Sequence, residues 1–276
     1  MLQKIINPNL DTTEQMQAKH LLPNTNTWQM VQVSTDCPVH GLVVREVVSI
    51  IAETARHTCP KCLADEQAYQ EQIRINKERE RLAYKSGISH YKDFSVWQPF
   101  GEQAQRMQGV VGFAKEYFHT HNGKNIIMTG ETGTGKTLLA NLIATDFIKH
   151  GKRVEVIRSS DINNQVRASW SKYSDTTEHE LMKYWINHDL LVIDEFGEAD
   201  NAINVETRQA DRERLSRIID GRYSRNLPTI ITTNLTKEVM IERLGDRAWD
   251  RLSQKAVMIA CNWGSFRKAN QNFVEI

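Results

Sequence analysis

A phosphate-binding loop constrains this fold more than any other feature of the sequence. The pattern G-x-x-x-x-G-K-[ST] is met by Gly130-Glu131-Thr132-Gly133-Thr134-Gly135-Lys136-Thr137, between an apolar run of strand length and a helical pattern that opens at Leu138. Glycines let the backbone N–H groups surround a phosphate, Lys136 supplies charge to the β- and γ-phosphates, and the Thr137 hydroxyl ligates Mg²⁺. We therefore predict that residues 130–138 bind a nucleoside triphosphate.

Beyond Gly123, apolar runs of strand length alternate with amphipathic helical stretches. This alternation predicts an α/β domain with a parallel sheet covered on both faces. A hydrophobic content of 40% is enough for a sizeable core, and it excludes fibres and disordered chains. The predicted strands are Asn125–Met128, Arg153–Arg158, Leu190–Ile193, Thr229–Thr232 and Ala256–Ala260, with helices such as Thr137–His150 and Thr207–Arg222 between them.

Two of these strands end in polar side chains that suit ATP hydrolysis. Asp194 and Glu195 follow Leu190–Ile193, at the strand end where open α/β sheets place their ligands. Asp194 would hold the Mg²⁺ shell, and Glu195 would orient or deprotonate the water that attacks the γ-phosphate. Asn234 follows Thr229–Thr232, where it would bond the same water or the γ-phosphate, although an asparagine after a strand is also a common turn residue.

Three arginines, Arg243, Arg247 and Arg251, recur every four residues, so we expect them to share one helix face. Acidic residues at the neighbouring positions make surface ion pairing one reading of this spacing. The other is that one arginine reaches the γ-phosphate of an adjacent subunit. Spacing alone does not show which of the three arginines would do so.

Two short cysteine and histidine pairs predict a structural metal site. Cys37-x-x-His40 and Cys59-x-x-Cys62 each sit on a proline-bearing turn and together supply four ligands for tetrahedral Zn²⁺. Four ligands leave no open position, so the metal would hold the fold and perform no chemistry. His57 is a possible substitute ligand, whereas Cys261, in a terminal apolar run, is expected to be a buried core thiol.

Differences in amino-acid composition along the chain predict three segments. Residues 1–62 would form an N-terminal zinc-binding module, residues 63–88 a charged helical linker, and residues 89–276 the nucleotide-binding domain. A net charge of +1 gives no global attraction to nucleic acid, so any such contact depends on local patches. With no apolar run long enough to span a bilayer and no signal-like N-terminus, we expect a cytoplasmic protein.

The run from about Ser86 to Lys268 resembles the AAA+ ATPases of the bacterial and phage helicase-loader family, the DnaC-like proteins, whose close relatives are the IstB-like transposition ATPases. The resemblance rests on GETGTGKT, LLVIDEFG, PTIITTNL, LGDRAWDRL and NWGSFRK. It implies an AAA+ domain with an abbreviated lid. It also implies that Arg251 is a trans-acting arginine finger, with Arg247 as the fallback, and that Arg267 contacts phosphate from the same subunit.

In these loaders the helix after the second strand of the domain faces single-stranded DNA. The resemblance therefore implies that Trp170 contacts a base and that Arg167 and Lys172 lie nearby, the alternative being a tryptophan packed at a core edge. The stretch Gly197–Asp211 is longer than expected, which leaves its DNA contacts open. Six arginines interleaved with acids are expected on a solvated helix face: Arg208, Arg212, Arg214, Arg217, Arg222 and Arg225.

Taken together, the sequence predicts an ATP-dependent loader of a ring-shaped, DnaB-like replicative helicase, with ATP, Mg²⁺ and structural Zn²⁺ as cofactors. The zinc module would grip the helicase, while the ATPase domains would assemble into a hexamer-like ring or spiral around single-stranded DNA. Three alternatives stay open: an IstB-like transposition ATPase acting on duplex DNA, a zinc-dependent interaction protein that never hydrolyses its nucleotide, and a small-molecule kinase.

Overall fold

The computed structural model describes residues 29–88, 91–120, 123–197 and 205–269. The chain divides between Ile75 and Asn76 into two compact units. Within the described residues, the first unit holds an antiparallel hairpin whose strands pair from Met30↔Val48 to Cys37↔Gly41. Its elements are β1 (Met30–Cys37), β2 (Gly41–Val48), a 3₁₀ turn (Ser49–Ile51), α1 (Ala52–Arg56) and the start of α2 (Pro60–Lys85).

The first unit buries little apolar surface. Its core consists of Val33, Val47 and Ala55, with two partly buried neighbours packed against them. Hydrogen bonds supplement this packing, because the hydroxyl of Thr35 and the guanidinium of Arg45 both donate to the Ala55 carbonyl, each at 2.9 Å. Among the described residues of the unit this core is small, so a further cross-link would stabilise this part of the chain.

The long helix α2 lies largely within the charged helical linker predicted for residues 63–88, but it begins earlier, at Pro60, and ends at Lys85. Proline fits the first turn of a helix, where its missing N–H would have no partner. The helix ends at Lys85, and Gly87 follows with a φ of +82°. The Ser86 carbonyl then accepts a hydrogen bond from the backbone N–H of Val156 at 2.7 Å, which fixes this end to the edge strand of the sheet.

The second unit is a five-stranded parallel sheet with the order β4-β5-β6-β3-β7. This confirms the predicted α/β class, and each predicted strand is found within one residue of its predicted ends. The elements are α3 (Ala104–Thr120), β3 (Asn125–Thr129), α4 (Lys136–Lys149), β4 (Val154–Arg158), α5 (Ser159–Ser169), α6 (Glu178–Asn187), β5 (Leu190–Asp194), α7 (Val205–Ser224), β6 (Thr229–Thr233), α8 (Lys237–Leu244), α9 (Asp246–Ser253), β7 (Ala256–Ala260) and α10 (Phe266–Ala269).

The strand register determines where the site forms. Strands β5 and β6 are buried along their whole length, as expected for strands covered by helices on both faces. Thr129 of β3 pairs with Thr233 of β6, and Arg158 of β4 pairs with Asp194 of β5. The residues that follow these four parallel strands therefore lie close together at the carboxyl end of the sheet.

Two expectations about arginines are wrong. Arg243 does not share a helix with Arg247 and Arg251, because Gly245, at a φ of +81°, separates α8 from α9. The proposed solvated face of α7 is also incomplete, since the side chains of Arg214 and Arg222 are buried. Alternating charge in the sequence does not reveal that these two arginines face inward, where backbone carbonyls and carboxylates are their partners.

Candidate nucleotide-binding site

The loop between β3 and α4 has the shape of a phosphate cradle. Gly130, Gly133 and Gly135 all adopt positive φ angles, a region that side chains disfavour. A Cβ on Gly133 would overlap the hydroxyl of Ser265, and one on Gly135 would press on the ring of Phe266. The loop therefore requires glycine both for its backbone conformation and for the close approach of the chain's last described segment.

Lys136 is positioned inside this loop. Its side chain is buried, and its ammonium donates to the carbonyls of Gly130 and Glu131 at 2.7 and 2.8 Å. A third bond, of 2.7 Å, runs to Oδ1 of Asn234 beyond the end of β6. The Asn234 amide in turn donates to the Thr132 hydroxyl at 3.1 Å. Asn234 thus links the phosphate-binding loop to the end of the neighbouring strand, and its contact with the γ-phosphate or the attacking water stays a prediction.

The predicted Mg²⁺ ligands lie side by side. The Thr137 hydroxyl donates to the Asp194 carboxylate at 2.9 and 3.1 Å, so the two oxygen ligands face the same point. The hydroxyl of Thr232, on β6, also bonds Asp194 and fixes its rotamer. Hydroxyl and carboxylate oxygens are the donors that Mg²⁺ prefers beside phosphates, so this pair fits the ion.

Glu195 stands at the turn that follows β5, with a φ of +53°. Its backbone N–H donates to the Thr232 hydroxyl at 3.1 Å, which holds the turn in place. Its carboxylate pairs with Arg158 across 3.3 Å, because β4 and β5 end level with each other. The predicted catalytic carboxylate is therefore neutralised by an arginine that sequence reasoning did not single out.

The last described segment folds back onto the loop. The indole N–H of Trp263 donates to the Thr134 carbonyl at 2.8 Å, and the Phe266 N–H donates to the Gly133 carbonyl at 2.9 Å. Trp97 packs edge-on against both rings, at centroid distances of 6.2 and 5.1 Å. Arg267 follows Phe266 and is exposed, and its contact with the nucleotide of its own subunit stays a prediction.

The two candidate finger arginines on α9 share one acid. Asp220, on α7, forms ion pairs with Arg251 and, at 3.3 Å, with Arg247. The Arg251 guanidinium also lies 5.7 Å from the ring centroid of Tyr223, and its side chain is only 26% exposed against 73% for Arg247. Both arginines are therefore paired with an acid of their own chain.

The predicted DNA-contact residues lie at the end of α5. Trp170 is 61% exposed, so the alternative of a tryptophan packed at a core edge is wrong. Arg167 and Lys172 are exposed as well. Of the long loop Gly197–Asp211, residues 198–204 lie outside the described part, and α7 begins at Val205.

In the first unit, the four predicted metal ligands converge. Ligand atoms of Cys37, His40, Cys59 and Cys62 all lie within 4.8 Å of one another. Nδ1 of His40 faces the thiols, at 3.3 Å from Sγ of Cys62, while its Nε2 lies 3.2 Å from a carboxylate oxygen of Asp65. A ligating histidine usually has such a carboxylate partner on its second nitrogen. The cluster therefore suits a tetrahedral metal ion.

The three thiols of the cluster differ in acidity. Backbone N–H groups of His40 and Val39 lower the pKa of Cys37 to about 6, and the N–H of Cys62 lowers the pKa of Cys59, whereas contact with the Cys37 sulfur raises the pKa of Cys62 to about 12. Thiolate is the form that ligates zinc. His57 lies outside the cluster and pairs with Glu53 at 3.5 Å, while Cys261 is fully buried, as expected of a core thiol.

Two contributors to the nucleotide site were missed from the sequence. Thr232 supports both Asp194 and Glu195, yet it sits in an apolar strand pattern that marks it only as a strand residue. Arg158 pairs with Glu195 but ends a different strand, 37 positions away. The signal that would have found them is strand order, because both residues lie beside β5 only once the sheet is assembled.

Comparison with known proteins agrees with this geometry. The profile of the family described as "IstB-like ATP binding protein" matches residues 58–273, most of the chain. This chain belongs to that family. The match extends from Thr58, before α2, to a few residues beyond α10, and it covers every nucleotide-site residue described above.

Two helicase-loader proteins and one solved structure are also similar to this chain. The chain is 29% identical over 230 residues to the replicative helicase loader DnaC of Buchnera aphidicola subsp. Baizongia pistaciae, covering 77% of this chain and 91% of the relative. It is 29% identical over 191 residues to DnaC of Escherichia coli K12, covering 68% and 75%. A crystal structure of the DnaC helicase loader superposes with a TM-score of 0.50 at 22% identity, covering 61% of this chain and 95% of that one. The resemblance to DnaC-like AAA+ proteins and the predicted fold are thereby confirmed.

A search of the described helices for a membrane span finds none that is both long and apolar enough.

Proposed function

We propose that this IstB-like family member is an ATP-dependent loader of a replicative ring helicase onto single-stranded DNA. The observation that carries the proposal is the set of bonds joining the loop to the strand ends, Lys136 to Asn234 and Thr137 to Asp194. Through these bonds a nucleotide in the loop would affect the positions of Asp194, on β5, and of Asn234, beyond the end of β6. The DnaC relatives, aligned over 91% and 75% of their lengths, supply the loader role.

Each residue of the site has a defined task in this proposal. Lys136 and the loop N–H groups bind the triphosphate, and Thr137 with Asp194 would hold Mg²⁺, which supplies charge neutralisation on the phosphates. Glu195 orients the attacking water once its carboxylate leaves Arg158. Asn234 senses the γ-phosphate through its bond to Lys136. Hydrolysis then acts as a release switch, and slow intrinsic turnover is expected.

Assembly would complete the site. ATP bound at each subunit boundary would draw Arg251, or Arg247, away from Asp220 towards the neighbour's phosphates, while Arg267 contacts the nucleotide of its own subunit. A hexamer-like ring or spiral of such subunits would enclose single-stranded DNA. Because the arginines begin in an ion pair, the assembled state depends on ATP to compensate for breaking that pair.

The first unit would be the docking element. We assign Zn²⁺ to Cys37, His40, Cys59 and Cys62, as a structural ion that supplements the small core described for this unit. Residues 1–62 would then hold the helicase, with the charged helix over 63–88 as linker and residues 89–276 as the ATPase. Such a loader acts in the cytoplasm, where reduced thiols are available to the metal.

Native mass spectrometry of this protein with the replicative helicase of its own source tests the proposal. A complex of several loader chains per helicase ring, carrying about one zinc per loader chain, is the expected result. The substitution Glu195→Gln should leave ATP binding intact and block release of the helicase. Absence of any complex with or without ATP, or rapid hydrolysis by the Glu195→Gln variant, would refute it.

The family match favours a second candidate, an IstB-like ATPase that works with a transposase on duplex DNA. The two functions differ in the DNA that the ATP-bound protein prefers. Equilibrium binding to single-stranded and duplex oligonucleotides of the same sequence separates them. Preference for the duplex, together with no helicase complex, would favour the transposition function.

A further inference from the structure

Trp170 is an exposed side chain held by specific contacts. It follows α5 directly and leaves 61% of its surface exposed. Its indole N–H donates to Oε2 of Glu178 at 3.2 Å, and the guanidinium of Arg214 lies over the ring, 5.3 Å from the centroid. One edge and one face of the indole are thus occupied, so the ring has lost much of the rotamer freedom of a surface side chain.

The two groups that hold the indole are themselves fixed. Arg214 is only 6% exposed and pairs with Asp211 at 3.1 Å and with Glu178 at 3.5 Å. Glu178 also accepts from Arg217 at 2.8 Å. It is the first residue of α6, a helix that opens with a reciprocal capping box between Thr177 and Glu180. The contacts under Trp170 therefore join α5, α6 and α7.

We propose that Glu178 and Arg214 are positioning residues that hold Trp170 as a one-sided platform for an unpaired DNA base. This inference rests on the single-stranded DNA contact in the function proposed above. A ring with one face occupied and a large exposed surface suits stacking, which any base can provide through its own face. Bases within a duplex are already stacked on both sides, so the platform favours single strands. Arg167 and Lys172, both exposed, are available to the phosphates.

An electrostatic effect of Glu178 and a positioning role for it predict opposite changes in DNA affinity when its carboxylate is removed. Loss of a carboxylate beside bound DNA would tighten binding through electrostatics alone. Loss of the acceptor that fixes the indole would instead weaken binding, because the ring must then be ordered when the base stacks. Asp175 is the matched control: it is an exposed acid between Trp170 and Glu178 and lies before α6 and its capping box, so its substitution removes one carboxylate without removing those contacts.

The test is binding of the ATP-loaded full chain to a single-stranded oligonucleotide that contains 2-aminopurine, whose fluorescence is quenched by stacking. Trp170→Ala should weaken binding about tenfold and relieve the quenching. Glu178→Ala should weaken binding by a smaller factor, about threefold to fivefold, with partial loss of quenching. Glu178→Gln keeps an amide oxygen that can accept from the indole and should recover part of both signals. Asp175→Ala should bind as tightly as the wild type or more tightly.

The double variant shows whether Glu178 acts through the indole. In a Trp170→Ala background, Glu178→Ala should cause no further weakening. Further weakening there, or wild-type affinity and quenching for Glu178→Ala alone, would overturn the positioning role while the loader proposal stands. Wild-type binding by Trp170→Ala would overturn both this inference and the base contact assigned to Trp170. Unchanged ATP affinity and melting temperature are required of every variant, and Glu178→Gln replaces Glu178→Ala if the latter melts early.

Discussion

The substitution Arg222→Met tests how far a buried charge supports the ATPase sheet. Arg222 is 1% exposed, and burial lowers the pKa of its guanidinium to about 9, so it stays charged at neutral pH. The guanidinium joins the end of α6 to the start of β6. Its acceptors are the carbonyls of Trp185 (2.8 Å), Ile186 (3.3 Å), His188 (2.8 Å) and Pro228 (2.5 Å), and the Thr229 hydroxyl (3.0 Å).

Methionine has a side chain of comparable length, but it removes the guanidinium that donates to these acceptors. Hydrogen bonds to a charged group contribute roughly 1.5–3 kcal/mol each, and the cost of burying the guanidinium offsets part of their sum. Loss of one side of a buried charged network costs about 3–5 kcal/mol. We therefore expect Arg222→Met to lower the free energy of unfolding by about 3–5 kcal/mol, a large share of the roughly 5–15 kcal/mol typical of a domain.

Urea denaturation followed by far-UV circular dichroism measures this change. Arg225→Met is the matched control, because Arg225 is an exposed arginine just beyond the same helix and donates to the Gly221 carbonyl of the preceding turn. It should change stability by less than about 0.5 kcal/mol. A loss below about 1 kcal/mol for Arg222→Met would refute the reasoning, as would an equal loss for the control.

Three further changes probe the site and its surroundings. Arg158→Ala should raise basal ATP hydrolysis several-fold, because the Glu195 carboxylate loses its ion pair; phosphate release that is unchanged or slower would contradict this. Cys59→Ser should lose bound zinc and the folded hairpin of the first unit, as measured by metal analysis and proteolysis, while ATP binding persists. Burial raises the pKa of Glu155 from 4.5 to about 7, so the folded state loses stability as the pH rises between these values. Glu155→Gln should therefore stabilise the chain by about 1–2 kcal/mol at pH 8 and little at pH 5, and equal effects at both pH values would contradict this.

Much of the nucleotide site could be predicted because its parts are local in sequence. The loop at residues 130–137 carries its own backbone requirement, and Asp194 and Asn234 each end an apolar strand, so the convergence of parallel strand ends brings them together. The metal cluster was predictable for a similar reason, since the two members of each pair are close in sequence, although the second pair lies at the start of α2 and not on a turn as expected.

What sequence reasoning missed depends on packing between distant elements. The burial of Arg222 follows from carbonyls contributed by the end of α6 and the start of β6, neither of which is visible in the charge pattern of α7. Likewise, four-residue spacing suggested one helix for Arg243, Arg247 and Arg251, although Gly245 interrupts it. Periodicity reports a helix face only where the helix is continuous.

The bond between Ser86 and Val156 has a practical consequence for anyone dissecting this protein. It places the end of α2 against β4, the outermost strand of the sheet on that side, and a Cβ on Gly87 would collide with the Val156 carbonyl. A fragment that starts at residue 89 would leave that strand's hydrogen-bonding groups open to pair with another molecule. An ATPase fragment shortened at this point would therefore be prone to aggregate. A fragment that begins before residue 76 would keep the end of α2 and Ser86 against β4.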